Sequence, residues 1–191
     1  MQAPPAADLR HYIRVYDGAL APELCRQLLA LWQSNAAAQQ ANGASVRQAL
    51  ADSAWTELDL AAAGDPVLPE LLARQIEPAY RRYVADIGLR LPPSPPQRTE
   101  AWIVKRYRPG GAERFQPHYD AVGPVAGRYL VLLWYLNDVA EGGATRFTEL
   151  DLEVEPRCGR LLMFPPYWMY AHAGLAPRSA DKYILSTYLS Y

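Results

Sequence analysis

The eight residues from Tyr129 to Leu136, YLVLLWYL, are apolar at every position. A strand with one wet face alternates polar and apolar side chains, so a run this uniform needs cover on both sides. Arg128 precedes it and Asn137-Asp138 ends it, and its β-branched and aromatic content favours a strand over a short buried helix. The chain must therefore build a sheet with a packed layer on each face. Three more stretches have the same texture: EAWIVKRYR from Glu100, GRLLMF from Gly159 and DKYILSTYLSY from Asp181. Each is bounded by Gly, Pro, Asn or Asp, which is the punctuation of short strands.

Before about residue 99 the pattern is different. Leu24, Leu28, Leu29 and Trp32 recur at helical spacing, with Pro22 at a first-turn position. Residues 66 to 88 read as a helix pair interrupted at Pro78. The small, polar AAAQQANGAS reads as a mobile loop, LRLPPSPPQ as a connector that cannot be helical, and residues 1 to 9 as a loose tail. The expected organisation is one domain over residues 1–191. About 10–98 form a helical support region, and about 99–191 form a sandwich or barrel-like β core.

Charge and cysteine usage narrow the function classes. The net charge is −1 and the pI about 6.3, which argues against nucleic acid as a partner. The basic group Lys105, Arg106, Arg108 and Arg114 reads as a solvated face, with the lining of a substrate entrance as the alternative. No stretch approaches the roughly 18 apolar residues of a membrane span. No signal-peptide pattern opens the chain, and the expected location is cytoplasmic. Cys25 and Cys158 lack zinc-ligand spacing and read as buried free thiols.

The chemistry centres on QPHYDAVG, residues 116–123. Only three histidines occur, His11, His118 and His172. On a strand, His118 and Asp120 would share a face and Tyr119 would point away. Downstream, the remaining histidine is His172. Two imidazoles and one carboxylate leave three positions open on a metal, an arrangement suited to ferrous iron and oxygen. Lys182 opens a strand on which Ile184, Ser186 and Tyr188 share its face. If that face is buried, its ammonium needs an anionic partner, either a protein carboxylate or a bound dicarboxylate. The plainer reading is a solvent-exposed strand end. The residues alone also allow a metal-binding module without turnover, or a structural sandwich.

Residues from about 101 to 191 resemble the Fe(II)- and 2-oxoglutarate-dependent oxygenases, specifically the prolyl 4-hydroxylase-like group. The matching text is YRPGG…FQPHYD, RYLVLLWYLNDVAEGGATRF, VEPRCGRLLMFPP and HAGLAPRSADKYILSTYLSY; VYDGALAPELCRQLLALW matches the family's opening less specifically. The resemblance implies a mainly β fold with a double-stranded β-helix (jelly-roll) core in the C-terminal half, supported by N-terminal helices. It implies Fe(II) on His118, Asp120 and His172, and Lys182 on the distal carboxylate of 2-oxoglutarate. Tyr107 and Tyr135 would line the co-substrate pocket, while Gly142, Gly143 and Thr145 would form a turn beside it.

The implied reaction consumes O2 and 2-oxoglutarate, releases succinate and carbon dioxide, and hydroxylates an unactivated C–H bond, with ascorbate a candidate reductant. A carboxylate at Asp120 favours hydroxylation over halogenation. The implied substrate is a prolyl residue in a peptide or protein, walled by some of Trp102, Trp134, Trp168, Tyr167 and Tyr170; Trp134 itself reads as core. A free amino acid or other small molecule is the alternative substrate. Nucleobase demethylation is disfavoured, since Arg178 and Lys182 do not make the paired arginines of relatives with that activity. Residues 34–60 and 108–116 have the composition of loops that close over a site, and the oligomeric state is open.

Overall fold

The computed structural model describes residues 8–46 and 48–191; most of the expected N-terminal tail lies outside them. In chain order the elements are β1 (Arg14–Tyr16), α1 (Pro22–Ser34), β2 (Gln40–Gly43), β3 (Ala54–Asp59), α2 (Val67–Ile87), β4 (Arg98–Thr99) and β5 (Ile103–Tyr107). These are followed by β6 (Phe115–His118), β7 (Arg128–Tyr135), β8 (Thr145–Phe147), β9 (Leu152–Val154), β10 (Leu161–Phe164), β11 (His172–Gly174) and β12 (Lys182–Ser190). Every pairing is antiparallel. A large sheet runs β1-β10-β7-β12-β5-β3-β2, with β4 paired to β12, and a second sheet runs β6-β11-β8-β9. Together they form the jelly roll. No helix among the described residues is long and apolar enough to cross a membrane.

The uniform run at Tyr129–Tyr135 is the centre of the large sheet, between β10 and β12, and all of it is buried. Its alternate side chains feed two different layers, as a period of two requires. Leu130, Leu132 and Trp134 pack outward with Leu28 and Trp32 of α1 and Leu72, Ile76 and Tyr80 of α2. Val131, Leu133 and Tyr135 point inward with Phe147, Phe164 and Tyr170. The inward layer surrounds the site.

The N-terminal half departs from the sequence expectation in three ways. First, α2 is one continuous helix rather than a pair. Its buried residues Leu68, Leu72, Ile76, Tyr80, Tyr83 and Ile87 make one stripe. Pro78 lies on the opposite, exposed side, where its missing N–H costs the helix one backbone hydrogen bond without disturbing the buried stripe. Second, AAAQQANGAS is not a loop: residues 40–43 form β2, paired in register with β3 from Gln40↔Glu57 to Gly43↔Ala54. Third, beyond its opening strand β1 the support region also contributes β2 and β3 to the large sheet, so it is not purely helical. Cross-strand partners outside the local window overrode the weak strand propensity of QANG.

The two segments with the composition of mobile loops, 34–60 and 108–116, are also differently used. Most of 34–60 is taken up by β2, β3 and short 3-10 turns. The turn from Arg108 is clasped by Glu113, whose carboxylate accepts the Arg108 backbone N–H at 2.7 Å and its Nε–H at 2.6 Å. The two cysteines remain free thiols: Cys25 is buried and Cys158 half-buried. Burial pushes the Cys25 thiol up to about 12, which makes it unreactive.

Candidate active site

The two downstream histidines meet because β6 and β11 pair antiparallel with His118 directly opposite His172. Opposed residues of an antiparallel pair project to the same face with their Cβ atoms roughly 5 Å apart. Pro117 is tolerated inside β6 because β6 is the edge of its sheet. Asp120 does not lie on the strand, as the i, i+2 argument supposed. The strand ends at His118, and Asp120 sits in the following bend. That bend is anchored by the Pro166 carbonyl, which accepts the N–H groups of both Asp120 and Ala121 at 3.0 Å. Tyr119 points away and is 41% exposed, as expected.

The resulting cluster has the geometry of a metal site. Asp120 Oδ1 lies 3.5 Å from His118 Nε2, and Oδ2 lies 3.6 Å from His172 Nε2. One ligand atom from each of the three residues falls within 4.8 Å of the others. The Nδ1 atom of His118 faces the Gln116 carbonyl at 2.8 Å, and that of His172 faces the Tyr170 carbonyl at 3.1 Å. A carbonyl only accepts, so each Nδ1 carries the proton and each Nε2 presents its lone pair to the cluster. Burial alone would raise the Asp120 carboxyl, but the His118 and His172 rings outweigh it and hold the group well below the usual carboxylate range. Burial likewise pulls His172 down to about 4, which keeps it neutral and able to ligate.

Lys182 is 1% exposed, which excludes the exposed strand end. It pairs with Tyr107 across β5–β12, and its Nζ stands 5.1 Å from the Tyr107 ring centre and 5.9 Å from that of Tyr135. Burial pulls its ammonium down to about 7, with Glu155 as the counteracting charge. A buried cation of this kind is stabilised by an anion delivered to it. Lys182, Ile184, Ser186 and Tyr188 do share one face and line a single cavity with the three metal-site residues, Tyr107 and Thr145.

Tyr107 forms part of that cavity's wall, whereas Tyr135 stands behind it. The Tyr135 hydroxyl donates to Thr145 Oγ1 at 2.7 Å, and so orients a residue that does reach the cavity. The Gly142-Gly143 turn precedes Thr145. Both glycines have positive φ, 73° and 78°. A Cβ at Gly142 would meet the Ala176 carbonyl at 2.6 Å, and one at Gly143 would press on the Lys182 side chain at 3.3 Å.

Some contributors were not legible beforehand. None of the five candidate aromatic walls lines this cavity: Trp134 is core, as read from the sequence, Trp102 and Tyr170 are core too, and Trp168 and Tyr167 are exposed. Phe115 takes that place, stacked on His118 at 3.6 Å between ring centres. Lys105 is not simply on a solvated face, because it lines the same cavity. Its signal was the strand period that puts it on the same side as Tyr107. Tyr188 donates to Asp120 Oδ1 at 3.2 Å, and its role followed from its shared face with Lys182.

Three comparisons fit this geometry. Residues 102–190 match the family model of the 2OG-Fe(II) oxygenase superfamily. The whole fold is similar to that of a viral collagen prolyl hydroxylase from Paramecium Bursaria Chlorella virus-1, solved as a 2OG complex. That match has 22% identity and a TM-score of 0.66, and covers 93% of this chain and 94% of the other. It is also similar to a Pseudomonas putida prolyl-4-hydroxylase, with 18% identity, a TM-score of 0.68 and coverage of 94% and 92%. A prolyl hydroxylase from Trichoplax adhaerens, in complex with a hypoxia inducible factor oxygen degradation domain peptide fragment, matches at 16% identity and a TM-score of 0.69 over 94% and 84%. No curated protein sequence matches the chain. Fe(II), 2-oxoglutarate and O2 are the reactants of this superfamily's chemistry, and the histidine–aspartate–histidine cluster fits the metal.

Proposed function

We propose that the protein is an Fe(II)- and 2-oxoglutarate-dependent dioxygenase that hydroxylates a prolyl unit. In this reading His118, Asp120 and His172 hold the iron, and Lys182 holds the far carboxylate of 2-oxoglutarate. The observation that carries it is a buried ammonium in the same cavity as a two-histidine, one-carboxylate face. A metal sensor without turnover has no use for a fully buried lysine beside its metal; a co-substrate with a distal carboxylate does. Support for the prolyl unit comes from the fold, which the chain shares with three prolyl hydroxylases over more than nine-tenths of its length.

When bound, iron and 2-oxoglutarate supply the oxidising chemistry that inserts one oxygen atom of O2 into a C–H bond. The protein's part is placement. The backbone carbonyls of Gln116 and Tyr170 fix the histidine tautomers, and Tyr188 orients Asp120. Tyr107 and Thr145 shape the wall beside Lys182. The Phe115 ring stacks on His118 and covers one face of its imidazole.

The test is anaerobic addition of Fe(II) and 2-oxoglutarate, read as a visible charge-transfer band. It is followed in air by a mass-spectrometric screen of prolyl peptides and free imino acids for the gain of one oxygen atom. The expected result is a band, succinate release and an oxidised prolyl product. No band, together with no succinate in air, would overturn the oxygenase assignment.

A further inference from the structure

A second cavity of about 290 Å³ adjoins the metal site and shares Lys105, Phe115, Asp120, Ser186 and Tyr188 with it. That volume is at the small end of ligand cavities, roughly 300 to 1,000 Å³, and suits one amino-acid unit at a time. Most polar side chains of this vestibule are already engaged. Arg128 and Glu100 close on each other, with Arg128 Nη2 at 2.6 Å from Glu100 Oε2 and Nε at 3.0 Å from both carboxylate oxygens. Ser190 Oγ adds a bond to Glu100 at 2.8 Å. Glu57 accepts from Asn42 Nδ2 at 2.8 Å and from Trp55 Nε1 at 2.7 Å. Tyr188 donates to Asp120. Lys105 is engaged as well, with its Nζ over the Trp55 and Phe115 rings at 5.7 and 5.9 Å from their centres.

Ser186 is different. It is 3% exposed, and its Oγ has no hydrogen-bond partner among the described residues. A hydroxyl shut away from water without a partner costs free energy. Its place in the fold supplies a reason. Ser186 stands on β12 between Lys182 and Tyr188, on the face they share, with Ile103 and Leu133 as its cross-strand neighbours. It lines both cavities, whereas Lys182, Tyr107 and Thr145, the groups around the co-substrate, line the inner one alone. Its partner is therefore sought on the vestibule side, where the substrate stands. A hydroxyl can donate or accept. A prolyl unit inside a peptide has a carbonyl oxygen on each side of its ring and no N–H, so it can only accept. Trp55 and Phe115, stacked at 4.5 Å between ring centres, give the vestibule an aromatic surface against which the pyrrolidine ring packs.

Building on the hydroxylase reading above, we infer that Ser186 positions the substrate: its hydroxyl donates to a carbonyl oxygen flanking the target prolyl ring. One directional bond beside an aromatic surface sets how the ring is turned toward the metal. The residue that aligns the substrate then lies on the same strand face as the lysine that receives the co-substrate, four residues further on.

The test uses the Fe(II)-loaded enzyme with 2-oxoglutarate and the probe acetyl-Gly-Pro-Gly amide. Ser186→Ala should raise KM for the peptide roughly 3- to 10-fold, as loss of one hydrogen bond does. The iron–2-oxoglutarate band and the dissociation constant of 2-oxoglutarate should stay as they are, which also shows that the variant folds. More succinate should form per hydroxylated peptide, because the ring is less well aligned. Ser186→Thr, which keeps the hydroxyl, should recover most of the loss. Two thioamide peptides, with sulfur in place of the carbonyl oxygen on one or the other side of the prolyl ring, locate the bond, since sulfur is a weak acceptor. One of them should weaken wild-type turnover by a similar factor and cost Ser186→Ala little. A raised 2-oxoglutarate dissociation constant in Ser186→Ala would assign the hydroxyl to the co-substrate and overturn the inference. An unaltered peptide KM, or thioamide losses that persist in full in the variant, would overturn it too, and each of these outcomes leaves prolyl hydroxylation standing. In parallel, the Mn(II)-substituted protein with 2-oxoglutarate is titrated with the same peptide by calorimetry. Weaker binding to Ser186→Ala than to wild type upholds the contact even where no probe is oxidised, the result that would overturn prolyl hydroxylation alone; equal or no binding overturns the contact.

Discussion

The two faces of the large sheet are built from the same strands and carry opposite chemistry. Outward, β7 and β12 offer Leu130, Leu132, Trp134, Leu185 and Leu189 to the helices, an apolar layer. Inward, β12 offers Lys182, Ser186 and Tyr188 to the cavity of the metal site, with Tyr135 of β7 behind its wall. Burying an ammonium and a carboxylate on one face costs free energy. The apolar packing on the other face offsets part of that cost, each fully buried large aliphatic side chain contributing about 1.5–3 kcal/mol. The contrast teaches that the helical layer is a stability element and the inner face a functional one, so damage to each should be read out differently.

The strongest test of that separation is Asp120→Ala. Metal binding and turnover should both vanish, exceeding the roughly 10- to 100-fold loss that removal of an outer-shell partner causes. Thermal stability of the metal-free protein should also fall, because the two histidines and Tyr188 hold this carboxylate ionised in the fold and lose their partner with it. Titration of Fe(II) in the presence of 2-oxoglutarate checks the first part, and calorimetric melting the second.

Lys182→Ala comes next. The dissociation constant for 2-oxoglutarate should rise roughly 100- to 1,000-fold, the cost of leaving a buried carboxylate without its partner. Iron should still bind, as a 2-oxoglutarate-independent measurement such as metal content after desalting would show. An unchanged 2-oxoglutarate affinity would remove Lys182 from the site. On the outer face, Leu132→Ala should lower stability by about 2–5 kcal/mol, measured by urea unfolding, with 2-oxoglutarate affinity altered far less than by Lys182→Ala. If the two effects were comparable, the faces would not be separable.

A smaller effect should appear with pH. Because burial draws Lys182 down to about 7, the free enzyme loses this proton as pH rises through 7. The dianionic co-substrate pairs with the protonated form, so 2-oxoglutarate affinity should be flat below 7. It should fall by up to about tenfold for each further pH unit. The Lys182→Ala variant should lack this slope. The smallest change is expected for Tyr135→Phe, which removes one hydrogen bond to Thr145 at about 1 kcal/mol and should raise KM for 2-oxoglutarate a few-fold.

What the sequence revealed follows the same division. The central strand, the strand texture after residue 99 and the first helix were legible because each is encoded by a local period. Pro78 misled because a proline's effect depends on which side of the helix it occupies. That side is set by the buried stripe from Leu68 to Ile87, and Pro78 falls outside it. β2 was hidden because QANG has little intrinsic strand character and exists through β3. In the site, His118 and His172 were foreseen as residues, but their direct cross-strand pairing is a matter of register, which no local pattern encodes.

The pairing of His118 with His172 has one more consequence. These two strands touch at the edge of the smaller sheet, and their pairing is irregular beyond the histidines, with a register shift before Gly174↔Phe115. An ion held by both rings would act as a clasp across that seam. Iron occupancy and closure of the seam then become one thermodynamic event: metal-loaded protein should protect the amides of β6 and β11 from hydrogen exchange, and iron starvation should expose that edge to proteases.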